Sequence, residues 1–520
     1  MSLQKKAYIG MGWSGLSGMV VNSLELLKYI ILARLLVPAD FGLLAIVLAI
    51  IGLFRIFADG GTSNAVIHFR QNHNRQLSTL FWINILAGAT LYLIVLLAAP
   101  GIAAFYNQPE VQPILWLAGL VLPIYSIGAL YEVMLRKSLS FNKIAISESI
   151  GAMLGLVTAT VLALQGWGVY SLIWAQIVAS GTMTLFYLAD GMRTWVPAFY
   201  FRPGEVASHL RFGFFQMGER GLNVYATRID QLIIGRFFGP EILGAYHLAW
   251  QLILFPVMRL IPLLNRVAFP VFASRQDDNA ILRNGYLKLM SGVTTLITPF
   301  FLIAALSAPW LVPLLFGSGW ELAIQLIPFM ALIAFLRMLG SPGGNIVLSK
   351  GRADLMFYWN LSVAVLNTLV FLAGAQISIF ALVQFYAVLN VLYFGAGQWL
   401  MVHRPAALTW RRFLSHLNPA LMALLIPWLM VWVGRNIAGG AWSKGALYQP
   451  DGTFRPAGLW ERLLGFWSDA SAWHAHAWWS DVFMVIAIAT LFLLLYIPAV
   501  WFFQSGLIKE SIHTLRLKPQ

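Results

Sequence analysis

Ala33-Arg34-Leu35-Leu36-Val37-Pro38-Ala39-Asp40-Phe41-Gly42 aligns without gaps on Gly235-Arg236-Phe237-Phe238-Gly239-Pro240-Glu241-Ile242-Leu243-Gly244. Arg34 meets Arg236, Pro38 meets Pro240 and Gly42 meets Gly244, all at a constant spacing of 202 residues. Chance supplies any one such match, but the flanking sequence supplies more. Arg70-Gln71 matches Arg275-Gln276 with the spacing slipped to 205, and Lys137 and Lys350 fall at matching connections further on. The chain therefore reads as two halves in parallel orientation, as in transporters built from internal repeats.

What the halves are made of follows from composition. Of 520 residues, 59% are hydrophobic and 10% charged, and the mean hydropathy is +0.75. A soluble domain carries about 25% charged residues, so the solvent for most of this chain is lipid. A helix needs about 20 mostly apolar residues to cross the hydrocarbon core. About fourteen such runs occur, near 9–36, 39–58, 77–103, 110–135, 143–164, 168–190, 211–237, 240–272, 285–315, 319–345, 354–375, 378–402, 412–435 and 478–506. Runs this long are helical, because a helix satisfies its own backbone in lipid. The expected fold is an all-α polytopic membrane protein. Helices 1–6 form an N-lobe (1–208) and helices 7–12 a pseudo-symmetric C-lobe (209–408). Helices 13 and 14 lie outside the repeat (409–520), joined by a Trp-rich external loop at 436–477.

The first run follows Lys5 and Lys6 and reaches about Leu36. That is too long for a signal peptide, and no small-residue cleavage site is evident, so it reads as the first spanning helix. With the N-terminus in the cytoplasm, twenty-one of the 34 Lys and Arg fall on cytoplasmic segments and six on the opposite side. This asymmetry obeys the positive-inside rule and puts both termini in the cytoplasm. The net charge of +14 is thus spent on topology, with no single basic patch of the kind a nucleic acid needs. The absence of cysteine removes thiol chemistry and Cys-based metal sites. No glycine loop with a phosphate-binding Lys occurs, which argues against direct use of ATP. No catalytic motif stands out either, so the chain does not read as an enzyme.

Ionisable groups inside lipid are costly and mark interiors or pathways. On helix 7, at about 100° per residue, Gln216, Glu219, Arg220, Asn223, Thr227, Asp230 and Gln231 share one arc of about 120°, with Arg228 roughly 60° beyond its edge. On helix 1, Ser14, Ser17, Gly18, Asn22, Glu25, Lys28 and Tyr29 share an arc of about 140°. The repeat maps one arc on the other: Ser14 on Gln216, Ser17 on Glu219, Glu25 on Thr227, Lys28 on Asp230. Two related helices therefore present polar faces, expected to meet a cavity between the halves. The other reading makes Glu25, Lys28 and the helix 7 charges internal ion pairs, and pairing and lining are compatible.

Arg55, Arg259, Arg266 and Arg337 also lie at membrane depth. Arg55 and Arg266 are near enough to the cytoplasmic face to snorkel; Arg259 and Arg337 are deeper. A cavity lined by Lys28, Arg220, Arg228, Arg259 and Arg337 would attract an anion, and arginine's planar fork suits a diphosphate. Glu25, Asn22, Glu219, Asn223, Thr227 and Asp230 would supply the polar remainder. The acidic members would bind a coupling H⁺ or Na⁺ or orient the arginines. Pro256, Pro262 and Pro270 in helix 8 either flex during transport or set a static bend. In the external loop, 459–467 reads as an amphipathic interfacial helix. His474 and His476 are too few ligands for a metal site, so no metal is expected.

Four stretches resemble a known family. Leu32-Ala33-Arg34 with Phe41-Gly42 is similar to its first helix and loop. Ala58-Asp59-Gly60-Gly61 through Ala65-Val66-Ile67 is similar to the end of its second helix. Arg266-Val267-Ala268-Phe269-Pro270-Val271-Phe272-Ala273 with Gln276-Asp277-Asp278 resembles the end of its eighth helix and the loop that follows. Leu315-Phe316-Gly317 with Trp320 also fits. The family is the polysaccharide transport family of the multidrug/oligosaccharidyl-lipid/polysaccharide exporter superfamily, and the likeness is to Wzx flippases of the colanic acid exporter (WzxC) type. It covers about residues 1–410 and fails in the loop at 436–477. The resemblance implies two six-helix lobes around a cationic cavity in a bacterial inner-membrane protein. It implies a substrate of undecaprenyl-diphosphate-linked repeat units, passed from the cytoplasmic to the periplasmic leaflet by alternating access. It also implies an ion gradient as energy source, and work beside a polysaccharide polymerase and export machinery. The competing functions are a drug antiporter of the same superfamily, which would want an acidic, aromatic pocket, a membrane polysaccharide polymerase, which has no reason to repeat itself, and a scaffold, which needs no polar cavity.

Overall fold

A computed structural model describes residues 3–58, 61–69, 73–273, 278–406 and 408–414. Among these the regular structure is helical, and no strand occurs. The helices are α1 (Leu3–Leu35), α2 (Pro38–Ala58), α3 (Thr62–His68), α4 (Asn74–Tyr106), α5 (Val111–Ala118), α6 (Val121–Lys137), α7 (Phe141–Leu164), α8 (Val169–Gly191), α9 (Ala207–Ala273), α10 (Asn279–Phe316), α11 (Glu321–Ser349), α12 (Ala353–Ala375), α13 (Ile379–Gln398) and the short α14 (Arg404–Ala406). Ten spans among the described residues are long and apolar enough to cross a membrane. The chain is thus a multi-pass membrane protein. Predicted helices 13 and 14, apart from 412–414, and the whole loop 436–477 lie outside the described residues, so the count of fourteen applies to sequence only.

Most predicted runs match one helix within a few residues. The run 110–135 corresponds to two helices, α5 and α6, separated at Gly119-Leu120. The short α3 was not expected, because seven residues give too little apolar length for a spanning signal. Predicted helices 7 and 8 both fall within α9, whose backbone leaves the helical region at Gly239 (φ 81°, ψ 179°). The chain turns back there. Asp230 and Trp250 would stand about 30 Å apart on a straight helix, yet the Trp250 Nε1–H donates to Asp230 Oδ2 at 3.1 Å. A positive φ suits glycine, which has no Cβ to clash, and Pro240 then opens the second segment with its φ already helical.

The first corner of the repeat is built without glycine. α1 stops at Leu35, since Pro38 pushes Val37 out of the helical region and opens α2. Asp40 steadies the turn by accepting from the Val37 N–H (3.3 Å) and reaches across to accept from the Val169 N–H (3.0 Å).

Two compact units result. The first holds Met1–Gln251, Leu315–Leu326 and Phe357–Tyr386; the second holds Leu252–Leu314, Ile327–Met356 and Ala387–Gln520. The first unit therefore continues past residue 208, and the reason is the contact between the two corners. A Cβ added to Gly42 would sit 1.7 Å from the Pro240 carbonyl oxygen, and one added to Gly244 would sit 1.8 Å from the Pro38 carbonyl oxygen. Only glycine permits backbones to pass this closely. The contact is reciprocal, with both glycines and both prolines related by the same 202-residue spacing. Around it Phe41, Leu243, Tyr246 and Trp320 are buried, and the Trp320 indole N–H donates to the Ala33 carbonyl at 3.0 Å. The repeated arginines cross over. Arg34 Nε donates to the Leu315 carbonyl at the end of α10 (3.0 Å). Arg236 Nη1 lies 3.3 Å from the amide of Asn107, the residue that ends α4, and its guanidinium lies 5.3 Å from the Phe105 ring centroid. Such packing carries more weight in lipid than in water, because lipid tails compete for apolar contact.

The repeat returns at the far ends of the helices. In the first unit Lys137 Nζ donates to the Val66 and Phe69 carbonyls (2.9 and 2.8 Å). In the second, Lys350 Nζ donates to Asn279 Oδ1 (2.6 Å). Each lysine ties the connection after one long helix to the loop beside an earlier one.

Candidate functional site

The candidate residues of the first unit lie on α1 and on both segments of α9. On the 207–238 segment Arg220, Asn223 and Thr227 are exposed. They recur at three- and four-residue steps and so share one face. The single Thr227 hydroxyl proton is shared between the Asn223 and Val224 carbonyls (both 3.0 Å). One turn further, the same face is closed. Asp230 is 6% exposed and accepts three hydrogen bonds: from the Tyr246 hydroxyl (2.8 Å), the Trp250 indole (3.1 Å) and the Gln231 amide (2.8 Å). Such an arrangement satisfies most of a carboxylate's acceptor capacity. Arg228 does not pair with Asp230; its Nη1 donates to Gln231 Oε1 at 3.1 Å. Among the described residues, neither Arg220 nor Arg228 has a carboxylate within ion-pair distance.

Lys28 is different. Its Nζ is 2.6 Å from Glu25 Oε2, one helical turn away, with the lysine side chain only 14% exposed. The pair is electrically neutral, so it adds little to the attraction for an anion unless it opens. Asn22 Nδ2 donates to the Gly18 carbonyl (2.8 Å) on the same helix. Ser17, lower on the arc, is buried on the side of α1 that packs on α7, and its Oγ donates to the Ser14 carbonyl (3.4 Å). The helix 1 arc is thus split: its lower part meets α7 and its upper part meets α9.

The upper meeting point was not foreseen in the sequence. The Tyr29 hydroxyl accepts from Gln251 Nε2 (2.9 Å) and lies 3.4 Å from His247 Nε2. Arg228 and Glu25 are close enough to Tyr29 for their charges to act on it. Tyr246 and Trp250 hold Asp230 from one turn-related pair of positions, and His247 and Gln251 hold Tyr29 from the next. The signal was present as polar-tipped side chains at 246/250 and 247/251, a four-residue spacing that marks one helix face. A second polar group that sequence reading passed over joins Glu132, which is ion-paired with Arg136, to Glu148, close by on α7. Arg55 sits 4.5 Å from the Tyr125 ring centroid, so its charge rests on an aromatic face.

In the second unit Arg337 Nε donates to Asn390 Oδ1 (3.4 Å), and Asn390 is buried. α9 runs on as a helix through Pro256, Pro262 and Pro270. The side chains of Gln216, Glu219, Arg259 and Arg266 lie outside the described set, as do the loop residues His474 and His476.

The geometry can be set beside known proteins. A family model described as polysaccharide biosynthesis protein matches residues 31–325, more than half of the chain. The chain belongs to this family. It is 30% identical over 403 residues to the teichuronic acid biosynthesis protein TuaB of Bacillus subtilis (strain 168), covering 77% of this chain and 83% of that one. It is 30% identical over 379 residues to the lipopolysaccharide biosynthesis protein WzxC of Escherichia coli (strain K12), covering 73% and 77%. Among solved structures, the lipid II flippase MurJ in an inward closed conformation aligns with TM-score 0.71 at 12% identity, covering 96% of this chain and all of that one. An inward-facing multidrug resistance MATE transporter of the MOP superfamily aligns with TM-score 0.52 at 15% identity, covering 74% and 94%. At such identities the structural likeness speaks for the fold.

Proposed function

We propose that this member of the family is a flippase for lipid-linked oligosaccharides, moving an undecaprenyl-diphosphate-linked repeat unit from the cytoplasmic to the periplasmic leaflet of a bacterial inner membrane. The observation that carries the reading is the exposed stripe Arg220–Asn223–Thr227, with Arg228 beside it and no described carboxylate paired to either arginine. Unpaired guanidinium groups at membrane depth are expensive and persist where an anion visits. Relatives named for teichuronic acid, lipopolysaccharide and succinoglycan biosynthesis supply the glycan part of the proposal, and the fold likeness to a lipid II flippase suits a polyprenyl-linked cargo. A drug-cation antiporter is disfavoured, because its pocket would be acidic.

In this reading the termini are cytoplasmic, on the charge asymmetry, and the two Pro corners face the periplasm. The lobes are 1–208 and 209–408. Arg259 and Arg337 extend the cationic path. The Glu25–Lys28 pair opens when a diphosphate competes for the lysine, leaving Glu25 for a coupling H⁺ or Na⁺. Asp230, held by three donors, keeps the corner closed. Glu219 is a further coupling candidate. A polymerase and export machinery would take the delivered unit. The test is export in a complemented deletion strain: Arg220→Glu and Arg259→Glu are expected to abolish polysaccharide output at normal expression. Normal output from both would overturn the cationic path.

A further inference from the structure

The segment 192–206, between α8 and α9, has no part in the reading above, yet it is tightly built. It runs antiparallel along the start of α4. The Trp82 indole donates to the Ala198 carbonyl (2.9 Å), and the Ala198 N–H donates to Ser78 Oγ (3.1 Å). The Arg202 N–H donates to Thr79 Oγ1 (3.3 Å), and Gln76 Nε2 donates to the Glu205 carbonyl (3.3 Å). The Tyr200 hydroxyl donates to Glu205, and Arg75 and Arg202 sit 5.5 and 5.7 Å from the Tyr200 ring centroid. This is a strap pinned to α4 by four hydrogen bonds at three residues, Ala198, Arg202 and Glu205.

What it shows outward is unusual for a loop in water. Phe199 stacks one face on Trp82 (5.2 Å, 21°) and is still 97% exposed; Val196 and Phe201 are 66% and 51% exposed. Scattered apolar residues need no explanation, but a rigid run of them marks an interaction surface. The order along α4 says which. Trp82 is eight residues into the helix, about 12 Å along its axis, and Phe199 lies there. Arg75 is at the helix start, and the Arg202 N–H is bonded at Thr79, about 4.5 Å shallower than Trp82, with both guanidiniums against the Tyr200 ring. The Phe199 ring is therefore deeper than the guanidiniums, which is the gradient of a bilayer interface, apolar towards the acyl chains and cationic towards the phosphates.

We propose that the 192–206 strap is embedded in the bilayer surface, with Phe199 and Phe201 in the headgroup–acyl boundary and Arg75 and Arg202 on the phosphates of anionic phospholipids. The orientation proposed above makes that leaflet cytoplasmic. The placement is independent of what the chain transports.

The chain has no cysteine, so Phe199→Cys and, separately, Phe201→Cys each give one site for a spin label. The full chain is reconstituted in phosphatidylcholine vesicles and in an equal mixture with phosphatidylglycerol. Arg352→Cys, in the exposed connection between α11 and α12, serves as the aqueous reference. The strap labels are expected to collide more with oxygen dissolved in lipid than with a water-soluble nickel chelate, the reverse of the reference. Phosphatidylglycerol is expected to strengthen this preference, and Arg75→Gln with Arg202→Gln to remove the strengthening. Free access of the nickel chelate to both strap labels would overturn the proposal, as would protection from both probes, which would mean a protein cover. Identical values in the two vesicle types would overturn the anionic-lipid contact.

Discussion

One polar helix face meets two fates in the 207–238 segment of α9. At Arg220, Asn223 and Thr227 it is exposed; at Asp230, a turn further, it is sealed by Tyr246 and Trp250 from the returning segment. Residue type does not decide between these fates, since both stretches are polar. The corner does. Where Gly239 turns the chain and the Gly42–Pro240 and Gly244–Pro38 contacts clamp it, Tyr246 and Trp250 are brought to Asp230. Further from the corner, no carboxylate among the described residues lies within ion-pair distance of Arg220. The polar stripe is thus exposed at Arg220, Asn223 and Thr227 and hydrogen-bonded shut at Asp230.

The largest break in this contrast is expected at the open end. Arg220→Glu and Arg228→Glu should abolish export. For the exposed Arg220 the thermal midpoint of the purified protein should stay within about 2 °C, because exposed substitutions change stability by about 0.5 kcal/mol or less. A steep loss of thermal stability in Arg220→Glu would place this arginine in the structural account instead. Next comes the clamp. Gly42→Val or Gly244→Val puts side-chain atoms where a backbone carbonyl stands, and overpacking costs about 1–3 kcal/mol or more. Both should lower the midpoint in detergent, and the double variant should lose less than the sum, since one displaced corner already frees the other. Additive losses would mean that the two contacts are independent.

At the sealed end, Asp230→Ala leaves the Tyr246 hydroxyl and the Trp250 indole without their acceptor. Each orphaned buried donor costs about 1–3 kcal/mol. Asp230→Asn keeps an acceptor oxygen and should recover most of the loss. Equal losses in the two variants would show that the charge matters here and not the hydrogen bonds. The smallest effect is expected where α11 meets α12. There Arg352 grips Asp354, in the first turn of α12, with two nitrogens (2.9 Å each). Both side chains are exposed, and such ion pairs contribute about 1 kcal/mol or less. Arg352→Lys should therefore leave the thermal midpoint unchanged within error, and a drop of several degrees would show that the two-nitrogen grip holds the connection.

The sequence carried the fold through two signals of different range. Apolar runs placed the spanning helices to within a few residues, because length in lipid is set by bilayer thickness. The Arg34/Arg236, Pro38/Pro240 and Gly42/Gly244 register placed the corners, and the same spacing turned out to describe a physical contact. The site was less legible. Helical phase correctly grouped Arg220, Asn223, Thr227 and Asp230 on one face, but phase has no information about depth along the axis, where Asp230 is sealed and Arg220 is not. It also could not foresee that Lys28 is neutralised by Glu25, since that depends on which neighbour a long side chain can reach. His247 and Gln251 were missed because Tyr29, their partner, is more than two hundred residues away.

The most direct test of the flippase reading follows lipid-linked intermediates in a deletion strain, by mass spectrometry of extracted lipids after leaflet-selective enzymatic access. The account predicts that complete undecaprenyl-diphosphate repeat units build up on the cytoplasmic leaflet, and that the wild-type chain clears them while the Arg220→Glu chain does not. Complete units reaching the periplasmic leaflet unpolymerised in the deletion strain, or lipids unchanged from the parent, would contradict it.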